Sequence, residues 1–113
     1  MRVVGDSISL EELRVLAAAL FGDMIKGVVD VERELLALDS ELHADLEAFL
    51  MENDSHQRNL WGINLYPDLT GDAFLEFDSM INVRPSQGNR SRGVDDAGLR
   101  ERIAAIVAKR ILR

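Results

Sequence analysis

Apolar residues recur at helical spacing over residues 9–22, where Leu10, Leu13, Ala17, Leu20 and Phe21 share one stripe. Ser9 followed by Glu12 has the spacing of a capping box, in which two orphan backbone donors are satisfied reciprocally. The pattern predicts a helix that begins here and stops at Gly22. The next stretch, Met24-Ile25-Lys26-Gly27-Val28-Val29-Asp30-Val31, is rich in β-branched residues and predicts a strand. From Val31 to Leu50 two periods overlap. Apolar residues at 31, 35, 38, 42, 46, 49 and 50 fit one helical face, and no Val, Ile, Thr or Tyr lies between Glu32 and Asn59, which favours helix by propensity. Yet residues 41–48 alternate polar and apolar without a miss, which is the strand period, and Asp39-Ser40 stands where a tight hairpin turn would go. Periodicity leaves both readings open.

The cluster Glu52-Asn53-Asp54-Ser55 ends that stretch under either reading. Residues 59–66 read as a short strand closed by Pro67, followed by a loop over 67–72. Residues 73–83 alternate, with Leu75, Phe77, Ile81 and Val83 on one side and Glu76, Asp78 and Asn82 on the other, and predict another strand. A polar loop over 84–96 leads to a final helix capped by Asp95 or Asp96, with Leu99, Ile103, Ile106, Val107 and Ile111 as its apolar stripe. Lys109, Arg110 and Arg113 lie near its end, where cations complement the helix dipole.

The chain of 113 residues is long enough for one domain, and no repeat or interdomain linker divides it. It has no cysteine, which excludes disulfides, thiolate metal sites and cysteine nucleophiles. No apolar run reaches the roughly 20 residues of a membrane helix, and residues 1–6 lack the apolar core of a signal peptide, so a cytoplasmic location is expected. The net charge of −7 hides an asymmetry: residues 1–83 carry 17 acidic and 5 basic side chains, residues 84–113 carry 3 and 8. One explanation is internal, the basic segment folding back over an acidic body; the other is an anionic ligand. An acidic body with no nucleic-acid-binding motif argues against a general nucleic-acid partner.

Three stretches carry a resemblance: Glu41-Leu42-His43-Ala44-Asp45, Asn59-Leu60-Trp61-Gly62-Ile63-Asn64-Leu65-Tyr66-Pro67, and the segment from Ile81 to Val94, whose loop Arg84-Pro85-Ser86-Gln87-Gly88-Asn89-Arg90-Ser91-Arg92-Gly93-Val94 is the most distinctive. The chain resembles an uncharacterised family of small bacterial and archaeal proteins known as a domain of unknown function. In similar sequences a Gly-rich turn pair often stands where Asp39-Ser40 stands here, which implies a β-hairpin over 32–51. The resemblance implies no activity.

With that hairpin, Glu41, His43, Asp45 and Glu47 would project from one strand face, a row that could ligate a divalent metal or share protons. The plainer reading is a solvated sheet face, or a polar cluster meeting Arg84 or Arg90. The loop offers Arg84, Gln87, Asn89, Arg90 and Arg92, fork-shaped donors beside amides and bendable glycines that suit a carboxylate or phosphate. It is not a phosphate loop of the Gly-x4-Gly-Lys-Ser/Thr type, and the plainer reading is that its arginines pin it to an acidic sheet. Trp61 and Tyr66 read as core or subunit contact, with ligand stacking as the alternative, and no serine is marked as a nucleophile.

The expected fold is α+β: an N-terminal helix, a four-stranded, mostly antiparallel meander (about 24–38, 40–51, 59–66 and 73–83) and a C-terminal helix packed on the sheet. Open sheet edges lead to the expectation of a homodimer. Function divides into a non-enzymatic oligomeric binding or accessory protein, whose acidic face and Arg loop are largely structural or hold a small anionic ligand or partner, and a metal-assisted hydrolase or other enzyme acting on a small anionic, phosphorylated substrate. The hydrolase needs the arginines of the loop poised over the 41–47 face in one concave site. No cofactor is implied beyond that candidate metal.

Overall fold

A computed structural model describes residues 1–113. In chain order the elements are β1 (Arg2–Val4), β2 (Ile8–Ser9), α1 (Leu10–Leu20), β3 (Ile25–Asp30), β4 (Leu35–Leu38), α2 (His43–Glu52), β5 (Leu60–Leu65), β6 (Leu75–Glu76), α3 (Ala97–Arg110) and β7 (Ile111–Leu112). The fold is α+β, with three helices and a five-stranded antiparallel sheet in the order β1-β4-β3-β5-β6. β2 and β7 form a separate parallel pair, Ile8 opposite Ile111.

The two terminal helices follow their local signals. Ser9 Oγ accepts the Glu12 N–H at 3.1 Å, and Gly22, at φ +92°, turns the chain after α1 in a conformation glycine adopts freely. Asp96 caps α3 through the Leu99 N–H at 2.8 Å, and Lys109 and Arg110 occupy its last turn.

The middle of the chain corrects the expected hairpin at Asp39-Ser40. The hairpin lies earlier, at residues 31–34 between β3 and β4, with Asp30 opposite Leu35. Asp30, almost fully buried, builds that turn: its Oδ1 accepts the N–H groups of Glu32 and Arg33, and its Oδ2 accepts the Ser55 hydroxyl at 2.6 Å. Residues 43–52 then form a helix, where a strand over 40–51 was expected. Its buried residues are His43, Leu46 and Leu50, at helical spacing, while Leu42, Ala44 and Ala48 of the alternating pattern are exposed. Alanine is the strongest helix former and small enough to sit in solvent at little cost, so of the four apolar positions in the apparent strand period only Leu46 is buried.

The expected strand over 73–83 is also shorter. Only Leu75–Glu76 pairs with β5, and residues 80–82 form a 3₁₀ turn. In place of a ladder, the side chain of Asn82 bonds the edge of β5: it accepts the Gly62 N–H at 2.8 Å and donates to the Gly62 carbonyl at 3.0 Å. Gly62 is required there, since a Cβ would lie 2.4 Å from the Cβ of Ser79. The N-terminal strands β1 and β2 and the short β7 were not expected.

Alternation along the strands sorts the two faces of the sheet. Ile25, Val29, Leu36, Leu38, Trp61, Ile63 and Leu65 join α1 and α3 in a core cluster of 18 buried residues. Val28, Ala37 and Leu60 face the other way and meet Leu46 and Leu50 of α2 in a cluster of five. Because helices cover both faces, β5 is buried at every position and its pattern reads as a continuous run.

Candidate functional site

The row Glu41, His43, Asp45 and Glu47 is dispersed by the helix. Glu41 and Asp45 are exposed, and Glu47 turns to Arg84 at 3.2 Å. His43 is buried against the sheet, where its Nε2–H donates to the Ile63 carbonyl at 2.8 Å. No group of three His, Asp or Glu side chains gathers as a metal site would require, so the strand face needed by the hydrolase reading does not form.

Three of the loop candidates, Arg84, Gln87 and Asn89, bond the protein's own backbone. The Arg84 guanidinium donates to the carbonyls of Ile81, Gln57 and Leu60 and stacks 4.8 Å from the Trp61 ring centroid. Burial lowers its pKa and the Glu47 carboxylate opposes that shift. Gln87 donates to the Arg58 carbonyl. Asn89, buried, donates to the carbonyls of Asn82, Ser91 and Gly93 and accepts the Asp95 N–H, so a single amide organises the loop from the inside. The Arg90 side chain is exposed; its backbone N–H bonds Asp95. The basic segment does fold back over the acidic body: Arg84–Glu47, Arg92–Asp78 and Lys109–Glu34 are ion pairs across the division.

Arg92 and His43, drawn from the two separate candidate sets, meet in one cleft of about 520 Å³. Its floor is a polar row across three strands. Lys26 of β3 lies opposite Asn64 of β5, which lies opposite Glu76 of β6, on the face where α2 stops covering the sheet. Leu42, His43 and Ala44 bring the start of α2 to its edge, and Asp78, Met80 and Arg92 close the far side. Asn64 Nδ2 donates to Glu76 Oε1 at 2.8 Å, and Tyr66 donates its hydroxyl to the same oxygen at 3.1 Å. Burial and that carboxylate raise the Tyr66 pKa. Arg92 Nε donates to Asp78 Oδ1 at 2.7 Å.

Three features of the cleft are uncommitted. No side chain caps α2, and the N–H groups of His43 and Ala44 find no acceptor within the protein. Lys26 makes no ion pair; its ammonium lies 5.2 Å from the Phe21 ring centroid. Asn64, only 6% exposed, keeps its Oδ1 buried with no hydrogen-bond partner. A backbone donor pair at the positive end of a helix beside a free ammonium can hold an anion.

Lys26, Asn64, Tyr66, Glu76 and Asp78 were not among the expected site residues. Two of them carried a signal. Lys26 is the one basic residue inside the β-branched run 24–31, and Asn64 the one strongly polar side chain between Leu60 and Leu65. A polar residue at a buried strand position is more informative than polar residues in a loop.

No curated protein and no solved structure matches the chain. A family model described as "Protein of unknown function (DUF5674)" matches residues 2–110, from the start of β1 to the last residue of α3. The match takes in all three stretches that carried the resemblance, and the chain belongs to the DUF5674 family of proteins of unknown function.

Proposed function

We propose that this protein is a non-enzymatic binding protein that holds a small organic anion, a carboxylate or phosphate, in the cleft between the start of α2 and β6. The observation that carries this reading is the uncapped first turn of α2, with two free N–H groups, in the same cleft as the unpaired Lys26. Arg92 adds a guanidinium whose Nε alone is engaged. The remaining polar groups support binding over catalysis, because they are committed to one another: Glu76 to Asn64 and Tyr66, Asp78 to Arg92. Of the loop residues, Arg92 alone reaches the ligand; Arg84, Gln87 and Asn89 hold the loop in place.

The test is a ¹H–¹⁵N NMR titration at pH 6.5 with sodium sulfate, sodium phosphate and sodium benzoate, chloride serving as the ionic-strength control. The expected result is millimolar binding that shifts the His43, Ala44 and Lys26 amides and weakens about tenfold in Lys26→Met, the loss of one charge-assisted contact. Unmoved amides with all three salts would overturn the reading. The homodimer belongs to the same proposal: β1 has a strand neighbour on one side only, and Val3 within it and Met1 before it are exposed. Light scattering at micromolar concentration should give twice the chain mass, and a monomer would remove that part.

A further inference from the structure

His43 and Asn64 line the same cleft, and each keeps one polar atom uncommitted. His43 donates its Nε2–H to the Ile63 carbonyl, which fixes the neutral tautomer and leaves Nδ1 as a bare lone pair. Asn64, the residue after Ile63 on β5, lines the same cleft as the ring. Its amide nitrogen is spent on Glu76 Oε1 and on the Asp78 carbonyl at 3.2 Å. Reversing the amide would set its oxygen against a carboxylate and a carbonyl, so the orientation is fixed and the buried Oδ1 stays without a donor. A second ring N–H on His43 is the donor the site can generate for that oxygen.

We propose that the cleft takes up its anion together with a proton: a bound carboxylate or phosphate makes His43 an imidazolium, whose new Nδ1–H meets the Asn64 carbonyl. This rests on the anion site proposed above and specifies how that site is regulated. The surroundings of the ring favour its neutral form. Burial is the largest cause lowering the His43 pKa, and Lys26 on β3 acts in the same direction. The Ile63 carbonyl, Asn64 and Asp78 oppose it. Glu76, Tyr66 and Arg92 complete the charged and titratable groups of the cleft. On α2 itself, Asp45 sits in the first turn and Glu47 is turned to Arg84, while the positive end of the helix disfavours a cation at its start. An anion beside Lys26 cancels the repulsion from that ammonium and adds an attraction, so binding and protonation favour each other. By linkage the coupling is reciprocal: affinity falls by up to about tenfold per pH unit between the lowered pKa of the free protein and the raised pKa of the bound state, and levels off above the latter.

The experiment is isothermal titration of sulfate and benzoate at pH 7.0 in two buffers of different ionisation enthalpy, with long-range ¹H–¹⁵N spectra of the His43 ring. The expected result is uptake of up to one proton per anion bound, and an imidazole that changes from the Nε2–H tautomer to the doubly protonated form. His43→Gln, which keeps an N–H for the Ile63 carbonyl, should bind with no pH dependence between 6 and 8. Binding that shifts the Lys26 and Ala44 amides without proton uptake would overturn the linkage and leave the anion site standing. If no anion moves those amides, both readings fail together. Should His43→Gln not fold, the wild-type ring spectra decide the matter alone.

Discussion

The two faces of the five-stranded sheet are made by the same strands and do different work. Toward α1 and α3, every inward position of β3, β4 and β5 but Gly27 is a large apolar side chain in one cluster of 18. Toward α2, the same strands supply a five-residue cluster and then, beyond the start of the helix, the row Lys26–Asn64–Glu76. One step along β5, from Ile63 to Asn64, crosses from core to cleft. The first face is complete without a partner, whereas the second leaves a free ammonium, two free backbone donors and an orphan carbonyl. That contrast separates residues that make the fold from residues available to a ligand.

The contrast is tested most severely on the fully packed face. Leu36→Ala, at a site with no solvent exposure, should cost about 2–5 kcal/mol in urea unfolding and leave the anion-induced amide shifts unchanged. Arg84→Ala comes next. It leaves the half-buried Glu47 without its cation and three carbonyls without a donor, and should cost about 3 kcal/mol. A loss below about 1 kcal/mol in the same unfolding experiment would show the loop to be less firmly held than its bonds imply.

A smaller effect belongs to the cleft. The His43 pKa is held below the ordinary imidazole value of about 6.5 mainly by burial, so below that pH the unfolded chain binds more protons than the folded one. Stability is therefore fully present above pH 6.5 and is lost as pH falls from there toward the lowered folded-state pKa. Thermal melts at pH 5.5 and 7.5 should show a smaller difference in His43→Gln than in wild type. The least effect is expected from Arg90→Ala, whose side chain is exposed: stability within about 0.5 kcal/mol of wild type and unchanged sulfate binding. A weakened sulfate affinity in Arg90→Ala would return the loop to the ligand.

What was legible in the sequence follows from how local each signal is. The Ser9–Glu12 box, the Asp96 cap and Pro67 act within a few residues, and the structure uses all three as punctuation. The turn between β3 and β4 was not legible because Val31-Glu32-Arg33-Glu34 has no glycine, proline or asparagine. It is made instead by Asp30, itself bonded to Ser55. Periodicity left residues 43–52 open because Ala44 and Ala48 count as apolar in a pattern yet sit in solvent in the fold, and the hairpin over 32–51 that the resemblance implied does not form there. Of the candidate site residues, His43 and Arg92 do share a cleft. Each was chosen for another geometry, a strand row and an arginine cluster, and what unites them is the strand-pairing register of β3, β5 and β6.

The short parallel pair of β2 and β7 sets the order of assembly. Ile8 meets Ile111, about a hundred residues later, and both are buried in the larger cluster. A growing chain can close β3, β4 and β5 while residue 111 is still unmade, because all three strands lie within residues 25–65. The segment that leads into α1 has no such early partner. During synthesis the apolar flank of that helix waits for the last turn of α3, and the protein locks only when the beginning and the far end of this sequence are present together.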